Sequence, residues 1–162
     1  REHVIEKRLS TYIETRLSDG AKEIRFVKDE QGKERLEVQA ALLAGMGGRL
    51  MIQIIQDSLD KFCKMDEFVL QPQSEIAGVR RFVRTIGYHI EKEDMILEDG
   101  KYYPMMKVVR GEHRPEQSID IPETLQGQLL SDSVNVSAIQ ELFDEYGEYL
   151  LKEKHPEADR TV

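Results

Sequence analysis

Three glycines in four residues, Gly45-Met46-Gly47-Gly48, follow the apolar run Val38-Gln39-Ala40-Ala41-Leu42-Leu43-Ala44 and precede a stretch of helical periodicity. Glycine removes the side chain where a ligand must touch the main chain, and a helix start offers unpaired amides to an anion or a carbonyl. A tight turn at positive φ ordinarily needs one glycine, so three point toward a ligand. The run is no phosphate loop, because no Gly-Lys-Ser/Thr ending follows, and it lacks the dinucleotide spacing. A second candidate is Ser18-Asp19-Gly20, where the Asp carboxylate can accept from an amino group or hydroxyl and Gly lets backbone come close; alone, it reads first as a turn. In Leu70-Gln71-Pro72-Gln73, Gln71 could present its amide to a base or ligand, although proline as a strand terminator is the commoner role.

Arg80, Arg81 and Arg84, with Lys107 and Arg110, are spaced to form a basic patch on a phosphate backbone, or equally a solvated helix face. Tyr102 and Tyr103 could stack on a base, against the commoner role of packing in a half-buried strand. His3, His89, His113 and His155 have neither metal nor nucleophile spacing, and no Ser-His-Asp order is present. Cys63, the single cysteine, allows no internal disulfide and no cysteine-based zinc cluster, and reads as a small packed side chain.

These residues need elements to place them. Tyr12-Ile13-Glu14-Thr15-Arg16-Leu17 alternates like a strand and stops at Ser18-Asp19-Gly20; Lys22 to Val27 reads as a short helix or turn, and Lys28 to Arg35 as a polar connection. Val38 to Ala44 has the composition of a strand buried on both faces. A helix is expected over Gly48 to Lys61, a short strand over Phe68 to Pro72, and a second helix from an N-cap at Ser74 to the stop at Gly87. Tyr88 to Leu97 and Tyr102 to Arg110 are strand-like runs joined by Glu98-Asp99-Gly100-Lys101, whose Asp-Gly pair signals a hairpin. Parallel strands with helical crossovers followed by a hairpin give an α/β domain with a mixed sheet. Ser137 to Lys154 is helical by pattern.

The chain has 162 residues and a net charge of −8, but the imbalance is local: residues 1–111 hold 19 basic and 19 acidic side chains, residues 112–162 hold 4 and 12. The acidity therefore does not exclude a nucleic-acid partner for the body of the chain. Composition divides it into an α/β domain over 1–111, a connector over 112–136 and the start of a helical domain over 137–162. No apolar run approaches the ~20 residues of a membrane span, and no leader pattern opens the chain, so a cytoplasmic protein is the expectation. The opening at Arg1, inside a charged helical stretch, reads as the interior of a longer protein.

Tyr12 to Gly20, then Ala44-Gly45-Met46-Gly47-Gly48, Leu70-Gln71-Pro72 and Glu98-Asp99-Gly100-Lys101-Tyr102-Tyr103, resemble in order and spacing the bacterial tRNA (adenine-N1)-methyltransferases that modify adenine 22. The likeness covers about residues 1 to 110 and returns over Leu142 to Pro156. It implies a partial Rossmann-like sheet of the class I methyltransferase type, ending in an antiparallel hairpin and followed by a helical C-terminal segment. It further implies S-adenosyl-L-methionine as cofactor, tRNA as partner, and no metal. By the same resemblance Ser18, Asp19, Gly20, Ala44 and Gly45 line the methyl donor, and Gly45, Met46, Gly47 and Gly48 border the reacting base. Arg80, Arg81, Arg84 and Tyr102 are the candidate RNA contacts.

In that family two further strands precede the region matched by Arg1, and most of a coiled-coil-like domain follows His155-Pro156. A chain without them is expected to bind the donor weakly and to expose the apolar edge of Val38 to Ala44, inviting self-association. Two other readings remain open: a non-catalytic RNA- or protein-binding module on the same sheet, and a different nucleotide-binding α/β enzyme using the Gly45 to Gly48 turn.

Overall fold

A computed structural model describes residues 2–111, 136–147 and 150. The elements in chain order are α1 (Glu2–Glu6), β1 (Phe26–Lys28), β2 (Glu34–Leu36), β3 (Ala40–Met46), α2 (Gly48–Asp57), α3 (Leu59–Phe62), β4 (Glu67–Pro72), α4 (Ile76–Thr85), β5 (Tyr88–Glu98), β6 (Lys101–Arg110) and α5 (Val136–Tyr146). The main sheet has the order β3-β4-β6-β5. β3 and β4 are parallel, with α2 and α3 as the crossover, and β6 runs antiparallel to both β4 and β5. The expected mixed α/β sheet with a terminal hairpin is what forms. The hairpin turns on Asp99 and Gly100 at φ of 49° and 73°, the paired positive values that a two-residue turn matching the strand twist requires.

Alternation along β4 sends Phe68, Leu70 and Pro72 to one face. There they meet Met51 and Ile55 of α2, Phe62, Val79 and Val83 of α4, Tyr88, Met106 and Val108. The Phe68 ring lies edge-on to Phe62 at 5.3 Å and tilted against Tyr88 at 4.5 Å. The buried Tyr88 hydroxyl donates to the Phe62 and Met65 carbonyls, which close α3.

Several sequence expectations are corrected. Tyr12 to Leu17 forms no strand; it is exposed irregular chain tied by Arg16 to Glu14 and Glu37, and the hydrogen-bonded pairing nearby belongs to β1 and β2, which begin and lie mostly inside the stretch read as helix or turn and polar connection. Asp29 carries that small hairpin, its carboxylate accepting from the Gln31 and Lys33 amides. β3 is not buried on both faces: it is an edge strand, and Leu42 is 71% exposed. Ser74 does not cap α4. Its carbonyl is taken by the Gly48 amide, and the cap position falls to Glu75 at φ 52°. α5 is interrupted at Gly147, φ 88°, and Leu150 is again helical; residues 148–149, the rest of the helix expected to Lys154, the chain beyond it and the connector 112–135 lie outside the described residues.

Candidate functional site

Parallel pairing of β3 with β4 runs in register to Ala44 opposite Gln71, is interrupted at Gly45, and resumes with Met46 opposite Pro72. Gly45 is the bulged residue. Its φ of 73° suits glycine, and its amide, displaced from the ladder, donates to the Gln71 side-chain oxygen at 2.9 Å. Beyond the bulge the two strand ends are tied together: the Gly48 amide donates to the Ser74 carbonyl at 2.9 Å and the Gln73 amide to the Met46 carbonyl at 2.9 Å. The three glycines thus serve two purposes. A Cβ on Gly45 would meet nothing within 4 Å, whereas one on Gly48 would lie 2.5 Å from the Ser74 carbonyl oxygen and 2.8 Å from Val79 Cγ2. Gly47 is intermediate, its neighbour being the Ser74 hydroxyl at 2.9 Å. Ala44 and Gly45 are exposed, Met46 and Gly47 half-buried, Gly48 buried. Bare main chain is therefore presented at Ala44 and Gly45, while Gly48 serves close packing of α2 against the start of α4.

The Ser18-Asp19-Gly20 turn sits elsewhere. Ser18 Oγ donates to the Gly20 carbonyl and accepts from the Glu23 amide, and Asp19 pairs with Lys22. Gly20, at φ 60°, lies against α2, where a Cβ would meet Ile54 Cγ2 at 3.0 Å, and Lys61 Nζ donates to the Ala21 carbonyl at 3.0 Å. Ser18 and Gly20 share a cavity of about 440 Å³ with Arg16, Glu37 and Val38. Arg16 forks onto Glu14 and Glu37, and this guanidinium, then the Arg25 amide, holds the Glu37 carboxyl down to about 2. Val38 lies just before the start of β3, the end of that strand opposite to Gly45. Among the described residues no hydrogen bond or ion pair joins the Ser18–Gly20 turn to Ala44–Gly48. The open space beside Gly45 fits close approach of a donor such as S-adenosylmethionine; Asp19 would have to exchange Lys22 for it.

The arginine patch needs correction. Arg80 is 2% exposed; its Nε donates to Glu93 Oε1 at 2.7 Å, and one terminal nitrogen donates to the Asp144 and Glu145 carbonyls at 2.8 and 3.0 Å. It is no RNA contact but the buried cation on which the carboxyl end of α5 rests, where unpaired carbonyls and the helix dipole favour positive charge. Gly147 makes this approach possible, since a Cβ there would stand 2.7 Å from Glu93 Oε2. Arg84 binds the Asp144 carboxylate and Arg81 lies 3.8 Å from it, with 34% and 58% of their side chains exposed. Tyr102 packs with Met95 and Leu150, so the packing role prevails over a free stacking face. Lys107 bridges Glu67 and Glu91, which raise its pKa, and Arg110 donates to the Met65 carbonyl.

Sequence reasoning missed Glu93. The signal was present, because Glu93 shares with Met95 the inward parity of β5, and a carboxylate at a core position demands a buried cation. Among the described residues no three His, Cys, Asp or Glu side chains are grouped to hold a metal, and no helix is long and apolar enough to cross a membrane.

Comparison with known proteins adds to this geometry. The chain is 28% identical over 104 residues to the tRNA (adenine(22)-N(1))-methyltransferase of Bacillus subtilis (strain 168), a match covering 64% of this chain and 40% of that protein. Its fold is similar to that of a putative tRNA (m1A22) methyltransferase of Streptococcus pneumoniae in complex with S-adenosyl-L-methionine (TM-score 0.71, 23% identity, 99% of this chain and 60% of that one). It is also similar to the B. subtilis M1A22 tRNA methyltransferase (TM-score 0.67, 24% identity, 99% of this chain and 57% of that one). The chain thus spans about 40% of the length of its curated relative. The family model for tRNA (adenine(22)-N(1))-methyltransferase matches residues 1–155, and with the β3-β4-β6-β5 sheet and the glycine turn already in place, this chain belongs to that family.

Proposed function

We propose that this chain takes part in methyl transfer from S-adenosyl-L-methionine to N1 of adenine 22 in tRNA, with the reaction centred on the main chain of Ala44 to Gly48. The observation that carries this reading is the bare, bulged Gly45 at the carboxyl end of β3, the rim where open α/β sheets bind ligands, in a chain that matches the family model over 1–155. When bound, the cofactor supplies a methyl group made electrophilic by its sulfonium sulfur. N1 of neutral adenine bears no proton, so its lone pair takes the methyl carbon directly while the C–S bond electrons return to sulfur. No general base is asked of the chain. What its residues supply is alignment: the bulge and the Met46–Gln73 and Gly48–Ser74 bonds fix a backbone surface on which base and donor can be set in line.

In this reading Gly45, Met46, Gly47 and Gly48 border the base and Ala44 and Gly45 the donor; Ser18, Asp19 and Gly20, which line a separate cavity here, would meet the far end of the donor only if Asp19 gave up Lys22; Arg81 and Arg84 keep exposed edges for phosphate. The division into 1–111, 112–136 and 137–162 and a cytoplasmic setting belong to the same proposal. The test is transfer of labelled methyl from S-adenosylmethionine to a tRNA transcript by the full-length protein. Incorporation is expected with adenine at position 22, and is lost when that base is guanine or when Gly45 is replaced by Val. Equal labelling of both transcripts would overturn the assignment.

A further inference from the structure

One side chain at the glycine turn is not accounted for by the fold. Gln71, the last residue but one of β4, stands opposite Ala44, and its Oε1 accepts the Gly45 amide at 2.9 Å. That bond fixes the orientation of the amide, because the flipped rotamer would set Nε2 against the Gly45 N–H, donor against donor. Nε2 is therefore committed to its observed place, where it is buried and has no hydrogen-bond partner among the described residues. A buried amide nitrogen is nearly always paired, and this one carries two N–H donors. Beside it, the outward side of Gly45 is open for 4 Å around the position a Cβ would take.

We infer that Gln71 is a substrate-binding residue: Oε1 locks the bulge, and Nε2, covered in the ligand-free chain, is uncovered as a molecule settles on Gly45 and donates to a hydrogen-bond acceptor of that molecule. This rests on the proposed methyl-transfer reading. The acceptor is not N1 of the target adenine, whose lone pair must stay free for the methyl carbon. The chemistry left is another ring nitrogen of the purine or the carboxylate of the methyl donor. Either one completes the amide, and either ties recognition to the geometry of the bulge through a single side chain.

The test uses the full chain labelled with ¹⁵N, titrated with adenosine monophosphate and, separately, with S-adenosylhomocysteine. The Gly45 amide and the Gln71 side-chain pair are followed throughout. One ligand is expected to shift both signals together and to slow solvent exchange of the Gln71 pair; the nucleotide assigns the acceptor to the base, and the thioether to the donor. A ligand that shifts Gly45 and leaves the Gln71 pair in place overturns this inference and spares the proposed function. If neither ligand moves either signal, both fall. Gln71→Glu keeps an acceptor for Gly45 and removes the donors. It is expected to weaken the ligand that moves the pair by roughly tenfold or more, the size of one lost hydrogen bond, while the Gly45 amide stays bonded. Unchanged affinity in that variant also overturns the inference.

Discussion

Alanine placed at each of the three glycines separates their roles. At Gly48 a Cβ would stand 2.5 and 3.1 Å from the backbone oxygens of Ser74 and Glu75 and 2.8 Å from Val79 Cγ2, all well inside the ~3.5–4.0 Å of ordinary carbon contacts. The Ser74 oxygen cannot retreat without releasing the Gly48 amide it accepts. Overpacking of this kind costs about 1–3 kcal/mol and the strained hydrogen bond about 1 more, against which alanine's helix preference returns at most about 1. Gly48→Ala should therefore lose about 1–3 kcal/mol. Gly45→Ala meets no atom but must hold φ of 73°, a cost of about 1–2 kcal/mol. Gly47 has φ −67° and ψ 147°, open to any residue, and its near neighbour is a hydroxyl that can rotate away, so Gly47→Ala should be within about 0.5 kcal/mol of the parent. Urea unfolding followed by far-ultraviolet circular dichroism suits a chain with no tryptophan. At about 2–4 °C per kcal/mol for this size, Gly48→Ala should also melt roughly 2–12 °C lower. A Gly48→Ala protein as stable as the parent, or Gly47→Ala as the worst of the three, would refute the division of the turn into a packed half and an open half.

The Arg80–Glu93 pair, both side chains at 2% exposure or less, should respond unequally to single and double replacement. Arg80→Met strands a buried carboxylate and is expected to cost about 3–5 kcal/mol, most of which Arg80→Met with Glu93→Leu restores; urea midpoints decide, and an innocuous Arg80→Met would count against the anchoring of α5. The Glu37 carboxyl is depressed to about 2 by Arg16 and the Arg25 amide. Below its ordinary 4.5 the unfolded chain takes up a proton that the folded chain refuses, so this contact stabilises fully above about pH 4.5 and is lost as pH falls toward 2. Glu37→Gln should remove that part of the acid sensitivity, and parallel acid titrations of the two proteins would contradict it. Leu42, 71% exposed on the edge strand β3, is expected to drive self-association. Leu42→Lys should lower the sedimentation-detected oligomer fraction, and identical profiles would remove that role.

What could be read from the residues was whatever local chemistry determines. Asp99-Gly100 announces its hairpin because few other pairs adopt both positive φ values. The Gly45 to Gly48 run marks the strand-to-helix passage for similar reasons. Less legible were features set by residues distant in the chain. Arg80 reads as a surface arginine until Glu93, 13 positions on, and the carbonyls of Asp144 and Glu145 in α5 enclose it. Ser74 has the residue type of an N-cap, yet its carbonyl is claimed by Gly48, and the turn that results leaves capping to Glu75. Tyr12 to Leu17 alternates like a strand but pairs with no strand among the described residues, and the Arg16 fork onto Glu14 and Glu37 holds it as irregular backbone. The apolar composition of β3 suggested burial on both faces, and composition alone does not say what lies alongside a strand.

The placement of β6 between β4 and β5 has a consequence for how the molecule is made. Among the described residues the strand latest in the chain, β6, is an interior one, so a nascent chain paused before Lys101 has β4 and β5 but nothing to bridge them. The β5–β6 ribbon can close by itself within microseconds of emerging, because its partners are neighbours across a two-residue turn. Joining that ribbon to β4 brings Glu67 opposite Val109 and closes a far longer loop, the slower event. Assembly of this sheet therefore includes a docking step, in which a preformed ribbon is slotted beside β4 and the half-made layer first becomes continuous.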